Sequence, residues 1–175
     1  MGEPSDLNFR NFCPVNAFKF LLGTGCYTGL FPKMPGTAAS LVFLFPLYHL
    51  LTLSTIWPVL LIVLTASGIC IWIAAYFEGT YGKDPGILVM DEWAGQALVF
   101  LGLPFSGLLE DRVIILLVGF ILFRFFDILK PLGIKKLQEL PYGFGIFMDD
   151  LLAGLYALLC LKTLIFVWPN LFGMA

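Results

Sequence analysis

Three groups of residues in this chain have types and spacings that could do chemistry. Two are adjacent acidic pairs set in apolar surroundings, Asp91-Glu92 and Asp149-Asp150. The third is Arg124, Asp127 and Lys130, spaced three apart and so placed on one side of a helix. A charge at the centre of a bilayer costs upward of about 2.5 kcal/mol, so charges kept beside apolar runs call for a reason. Two acidic pairs form an oxygen-only donor set suited to Mg²⁺, an ion usually held by one or two carboxylates together with substrate phosphate. Arginine binds phosphate through a bidentate fork and lysine as a point charge. Asp91, Glu92, Asp149 and Asp150 are therefore expected to hold one or two Mg²⁺ ions, with Arg124 and Lys130 gripping a phosphate. Asp127, between the two cations, could orient Arg124 or join the metal ligands, and Asp127 or Asp84 is the candidate general base. Thr24 and the stretch Pro35-Gly36-Thr37-Ala38-Ala39-Ser40 add hydroxyls and helix-start amides, a natural anion site, so Thr24, Gly36, Thr37 and Ser40 are expected to bind substrate.

Other phosphate chemistries are disfavoured. The single histidine, His49, sits far along its apolar run from these groups and reads as a hydrogen-bonded packing residue. No cysteine has arginine six residues on, and there is no Asp-x-Asp. Cys13, Cys26, Cys70 and Cys160 show no Cys-x-x-Cys and read as small apolar packers.

The elements that must position these groups are apolar helices. Of the 175 residues 59% are hydrophobic and 13% charged, with a mean hydropathy of +0.93. Soluble domains carry roughly twice that charge. The composition predicts an all-α, polytopic membrane bundle forming one domain over residues 1–175, with 1–30 as a cytoplasmic or interfacial segment that includes a short helix near Phe12–Leu22. Five apolar runs are candidate spans: Ala38–Trp57, Pro58–Phe77, Ile87–Leu103, Val113–Leu129 and Ile146–Trp168. A net charge of −2 without a basic run gives no nucleic-acid signal. With the N-terminus inside, Arg10, Lys19, Lys33, Lys83, Arg124, Lys130, Lys135 and Lys136 fall on the inner side and only Arg112 and Lys162 on the outer, as the positive-inside rule requires. The same threading puts Asp84, Asp91, Glu92, Asp127, Asp149 and Asp150 at the inner face.

The motifs Gly36-Thr37 with Ser40, Asp84-Pro85-Gly86 through Met90-Asp91-Glu92 with Gly95, Arg124 to Asp127 with Lys130-Pro131, and Gly143-Phe144-Gly145 through Asp149-Asp150 with Gly154 resemble the phosphatidylglycerophosphatase A family in order and spacing. The resemblance covers about residues 20–160. It implies a Mg²⁺-dependent phosphatase of the bacterial inner membrane that converts phosphatidylglycerophosphate to phosphatidylglycerol, with its site facing the cytoplasm. It also implies a bundle of about five or six helices around a central one. Two positions depart from the family pattern: Gly133, often proline there, and Ala39, often glycine. One rival is a CDP-alcohol phosphotransferase, whose longer Asp-Gly-x₂-Ala-Arg signature is absent. The other is a small cation-coupled transporter, which would place its acids near the midplane rather than at one face.

Overall fold

The computed structural model describes residues 14–53, 55–103, 108–131, 133–138 and 144–173. Among them all regular structure is helical: α1 (Pro14–Gly23), α2 (Pro35–Leu51), α3 (Ile56–Tyr81), α4 (Met90–Leu98), α5 (Leu109–Leu129), α6 (Ile134–Leu137) and α7 (Phe144–Val167). Two short 3₁₀ turns, Thr28–Leu30 and Pro169–Phe172, complete the set.

Helices α3 and α7, with 26 and 24 residues, are about 39 and 36 Å long and, among the described residues, are the two helices both long and apolar enough to cross a membrane. Helix α5 has 21 residues but carries Arg112, Arg124 and Asp127 along its length, and α2 is shorter at 17. Proline at the first position of α2 suits a helix start, and the helix continues through Pro46 rather than breaking there. Large apolar side chains point outward around the bundle: Phe45 on α2, Trp57 and Leu61 on α3, Ile121 and Phe125 on α5, Leu159 and Phe166 on α7. Helices apolar all round belong in a large core or in lipid.

The third apolar run differs from expectation. Ile87–Leu103 is not one helix: α4 has nine residues, about 14 Å, and the chain continues through tight turns at Val99–Gly102. The path still runs the length of the bundle, because Gly102 lies beside Ile56 at the start of α3 and Lys162 late in α7. Such irregular backbone stays in the interior, with Val99 and Phe100 buried and Phe100 N–H bonded to Ala97 O at 3.1 Å. Its small residues Ala94, Gly95 and Ala97 let α4 lie between α3 and α7, and this buried segment is the central helix.

Contact between α4 and α7 is backbone to backbone. A Cβ on Gly95 would stand 2.6 Å from Asp150 O and 2.7 Å from the Phe123 ring, and one on Gly154 would run into Gly95 O. At the N-terminal side, α1 packs on α3, with Phe20 stacked on Phe77 at 6.3 Å and Lys19 Nζ 5.2 Å from the centre of the Trp72 ring. This anchors the part of the N-terminal segment that is described; residues 1–13, and Cys13 with them, lie outside it. Cys70 is buried as expected, whereas Cys26 is exposed, in a left-handed turn with φ 55°. His49 is likewise exposed at the end of α2, where it packs edge-on against the Phe45 ring at 4.9 Å; its ring has no hydrogen bond among the described residues, so the packing anticipated is present and the hydrogen bond is not. Gly133 has φ 91°, a conformation that proline's ring forbids, so the departure from the family pattern there goes with a different turn.

Gly154→Ala should push α4 and α7 apart and cost about 1–3 kcal/mol, read as a lowered unfolding midpoint in detergent. Gly68→Ala, whose Cβ would meet nothing within 4 Å, should be neutral or better in the same assay.

Candidate active site

The Gly95–Gly154 contact sets the register of the acidic pairs. Asp91 is one turn before Gly95 and Asp150 one turn before Gly154, so both pairs face the same end of the bundle. Helices α4 and α7 begin at that end; α5 runs the other way and delivers Arg124, Asp127 and Lys130 to it from its last turns. The loop before α4 adds Asp84, whose φ of 52° turns the chain sharply.

These elements enclose a cavity of about 280 Å³ lined by Asp84, Asp91, Glu92, Asp127, Lys130, Asp149 and Asp150, with Gly86, Leu88, Ile128 and Ile146 completing its wall. Asp91, Asp127, Asp149 and Asp150 are each less than a tenth exposed. Two carboxylates are oriented by the backbone that follows them: Glu92 N–H donates to Asp91 Oδ1 at 3.0 Å and Asp150 N–H to Asp149 Oδ1 at 3.1 Å.

Two cations tie the three helices together. Arg124 Nη1 lies 2.9 Å from Asp127 Oδ2 and 3.6 Å from Glu92 Oε1, linking α5 to α4. Lys130 Nζ hydrogen-bonds Asp149 and lies 3.9 Å from Asp127 Oδ1, linking α5 to α7. Burial works against the Lys130 charge, but the bond to Asp149 and the nearby Asp150 and Asp127 outweigh it and raise its pKa above the ordinary lysine value. Lys130 is also the C-cap of α5, where a positive charge meets the negative end of the helix dipole.

Six carboxylates against one lining lysine leave the cavity with excess negative charge, which calls for a further cation. The donors suit Mg²⁺: all are oxygens, and Glu92 Oε2 is buried without a hydrogen-bond partner among the described residues. Among those residues, however, no three acidic, histidine or cysteine side chains converge as a ready-made metal cluster. The cavity's oxygens could hold a hard cation through one or two carboxylates, with substrate oxygens and water completing its shell.

The expected substrate-binding residues divide. Gly36, at the start of α2, lies directly against the Glu92 carboxylate, and a side chain there would strike Oε1. Thr37 and Ser40 present buried hydroxyls without partners among the described residues, but they stand behind Glu92 and not on the cavity wall. Arg124 is also behind the wall, held between Glu92 and Asp127. Thr24 is elsewhere: its hydroxyl donates to Phe20 O at 2.8 Å and accepts from Tyr27 N–H at 3.2 Å, closing the turn after α1. That gives it a structural role, since its hydroxyl proton and one lone pair are already engaged in closing this turn.

Two residues escaped the sequence reading. Gln138 on the turn after α6 donates to Asp84 Oδ2 at 3.3 Å. Gln96, wholly buried on α4, has neither amide atom paired among the described residues. Its spacing of four from Glu92 was the available signal.

Gly36→Ala should displace the Glu92 carboxylate, whose flexible end can move, and leave the fold intact. Activity should fall at least tenfold with an unchanged unfolding midpoint. Lys130→Met leaves Asp149 buried without its cation and should destabilise the protein by about 3–5 kcal/mol near neutral pH. The wild-type contribution of this raised-pKa lysine is complete below the unfolded value of 10.5 and is lost only as pH climbs through its folded value, which alkaline unfolding curves would show.

Comparison with known proteins places the chain in a consistent setting. The family model described as phosphatidylglycerophosphatase A matches residues 21–165. A Bacteroides thetaiotaomicron protein, named provisionally as a phosphatidylinositol-3-phosphatase, is 36% identical over 157 residues, covering 87% of this chain and 94% of its own. Phosphatidylglycerophosphatase A of Haemophilus influenzae is 34% identical, covering 79% and 83%, and that of Escherichia coli 31%, covering 85% and 84%. No solved structure matches the chain.

Proposed function

The chain belongs to the phosphatidylglycerophosphatase A family, and from that premise we propose that it hydrolyses the terminal phosphate of phosphatidylglycerophosphate to give phosphatidylglycerol and inorganic phosphate. We read it as a single domain of 175 residues embedded in a bacterial inner membrane as a multi-pass bundle, with its site on the cytoplasmic side. The observation that carries this reading is the cavity at one end of an apolar-surfaced bundle, lined by six carboxylates and Lys130. A lipid whose chains lie in the bilayer presents its phosphate at such an end. Exposed Lys33, Lys83, Lys135 and Lys136 flank the same end, which supports the cytoplasmic orientation and favours approach of an anionic headgroup.

The residues divide the work by what already holds them. Lys130 faces the cavity and neutralises phosphate oxygens; Arg124 supports it from behind by fixing Glu92 and Asp127. Asp127 is engaged by both cations, so it positions them, whereas Asp84 is exposed and bonded only by Gln138 among the described residues. Asp84 is thus the better general base of the two. It takes a proton from water as the water oxygen bonds to phosphorus and the ester P–O bond breaks, and that proton passes from Asp84 to the departing oxygen, which leaves as the glycerol hydroxyl. Asp91, Glu92, Asp149 and Asp150 would supply the one or two carboxylates that hold each Mg²⁺, an ion that when bound supplies charge neutralisation and a more acidic water. Phosphoryl transfer asks mainly for such positioning and neutralisation.

The relative at 36% identity favours a second headgroup, a 3-phosphorylated phosphoinositide. Both headgroups share one feature that phosphatidate lacks: a free hydroxyl on a carbon next to the one bearing the phosphomonoester.

Purified protein should release phosphate from phosphatidylglycerophosphate with Mg²⁺ and lose that activity in EDTA. Asp91→Asn and Asp150→Asn should each lower kcat/KM at least about a hundredfold while still folding. Activity that persists in EDTA would refute the metal role; faster turnover of phosphatidylinositol 3-phosphate would transfer the reading to the second headgroup.

A further inference from the structure

The contact between α2 and α4 forms a seam whose buried polar groups, Glu92 apart, are not on the wall of the acidic cavity. Thr37 Oγ1, Ser40 Oγ, Glu92 Oε2, Trp93 Nε1 and both amide atoms of Gln96 are each buried with no hydrogen-bond partner among the described residues. Ser40 and Gln96 are wholly inaccessible, at 0% exposure. Native proteins leave few such groups, and each one unmet costs about 1–3 kcal/mol. Their clustering on one helix–helix contact is therefore a feature to be explained.

The seam has a definite register. Gly36 touches the Glu92 carboxylate, and one turn further along each helix come Ser40 and Gln96. Phe43 stacks on Trp93 at 4.7 Å and supplies an apolar neighbour on the same contact. Helical side chains lean toward the N-terminus, so the long Gln96 side chain is carried toward Glu92 and the cavity end. Glu92 belongs to both spaces: it lines the cavity, and its Oε2 is among the unpaired atoms.

A glutamine amide and a serine hydroxyl each donate and accept, and neither carries charge. That combination suits a hydroxyl, which also donates and accepts, and suits a phosphate dianion poorly. We propose that Ser40 and Gln96 form a hydroxyl-binding subsite that takes the headgroup hydroxyl on the carbon next to the scissile phosphate. The inference rests on the phosphatase reading above and adds the source of its selectivity: polyol-phosphate lipids satisfy the seam, whereas phosphatidate leaves its polar groups unpaired. A site built to bond a substrate hydroxyl can reject an analogue lacking it by about 10⁴-fold or more.

The test compares kcat/KM for phosphatidylglycerophosphate and phosphatidate in detergent-purified wild type, Ser40→Ala and Gln96→Leu. The wild type should favour phosphatidylglycerophosphate, and either substitution should lower that ratio at least tenfold. If Gln96→Leu fails to fold, Ser40→Ala, which removes a single oxygen, carries the comparison. A wild-type ratio near one would overturn the subsite. So would ratios within twofold of wild type in folded variants, even where both rates fall together, since that pattern marks a packing role. Absence of phosphate release from any phosphomonoester lipid by folded wild type would instead refute the phosphatase reading beneath it.

Discussion

The close approach of α4 to α7 at Gly95 and Gly154 is the constraint on which the remaining structure depends. With no side chain at either position the two backbones meet, and the acidic pair one turn up each helix is brought to a common cavity. Small residues at a helix crossing permit this approach in lipid, where helix association rests on packing more than on hydrophobic burial. The short, small-residue α4 can lie at the centre only because its neighbours close tightly around it. The same shortness makes the chain finish its passage in turns at Val99–Gly102, backbone that only a protein interior accommodates.

Charge placement follows helix direction. Helices α4 and α7 begin toward the cavity and α5 ends there: Asp91 and Glu92 lie in the first turn of α4, where the helix dipole favours them, Asp149 and Asp150 lie one turn further into α7, and Lys130 caps the negative end of α5. Arg124 and Lys130 then bridge α5 to both acidic helices. Removing either cation would leave buried carboxylates unmatched, which is why a site of this charge density doubles as the joint holding three helices.

Much of this was legible in the chain. The adjacent acids, the i, i+3 spacing of Arg124, Asp127 and Lys130, and the apolar runs with their lysine asymmetry are local properties, and the structure brings the predicted residues of α4, α5 and α7, Arg124 excepted, into one cavity. Thr24 was misread because a threonine near a glycine-rich turn looks the same whether its hydroxyl meets a ligand or a neighbouring carbonyl. The run Ile87–Leu103 was taken as one span because hydropathy records how apolar a segment is and not whether its backbone stays helical. Gln96 passed unnoticed because its one signal, the spacing of four from Glu92, marks a shared helix face and not a shared site.

By itself the sequence determined the helical class, the family, and which residue types are available for phosphate and metal chemistry, since composition, periodicity and motif spacing are properties of the chain taken in order. Tertiary structure decided which of those groups share a space. It put Gly36 under Glu92, set Arg124 behind the cavity wall and Lys130 within it, and paired Lys130 with Asp149 across nineteen positions. Such relations depend on the register between helices, and that register is fixed by backbone contacts between residues distant in the chain.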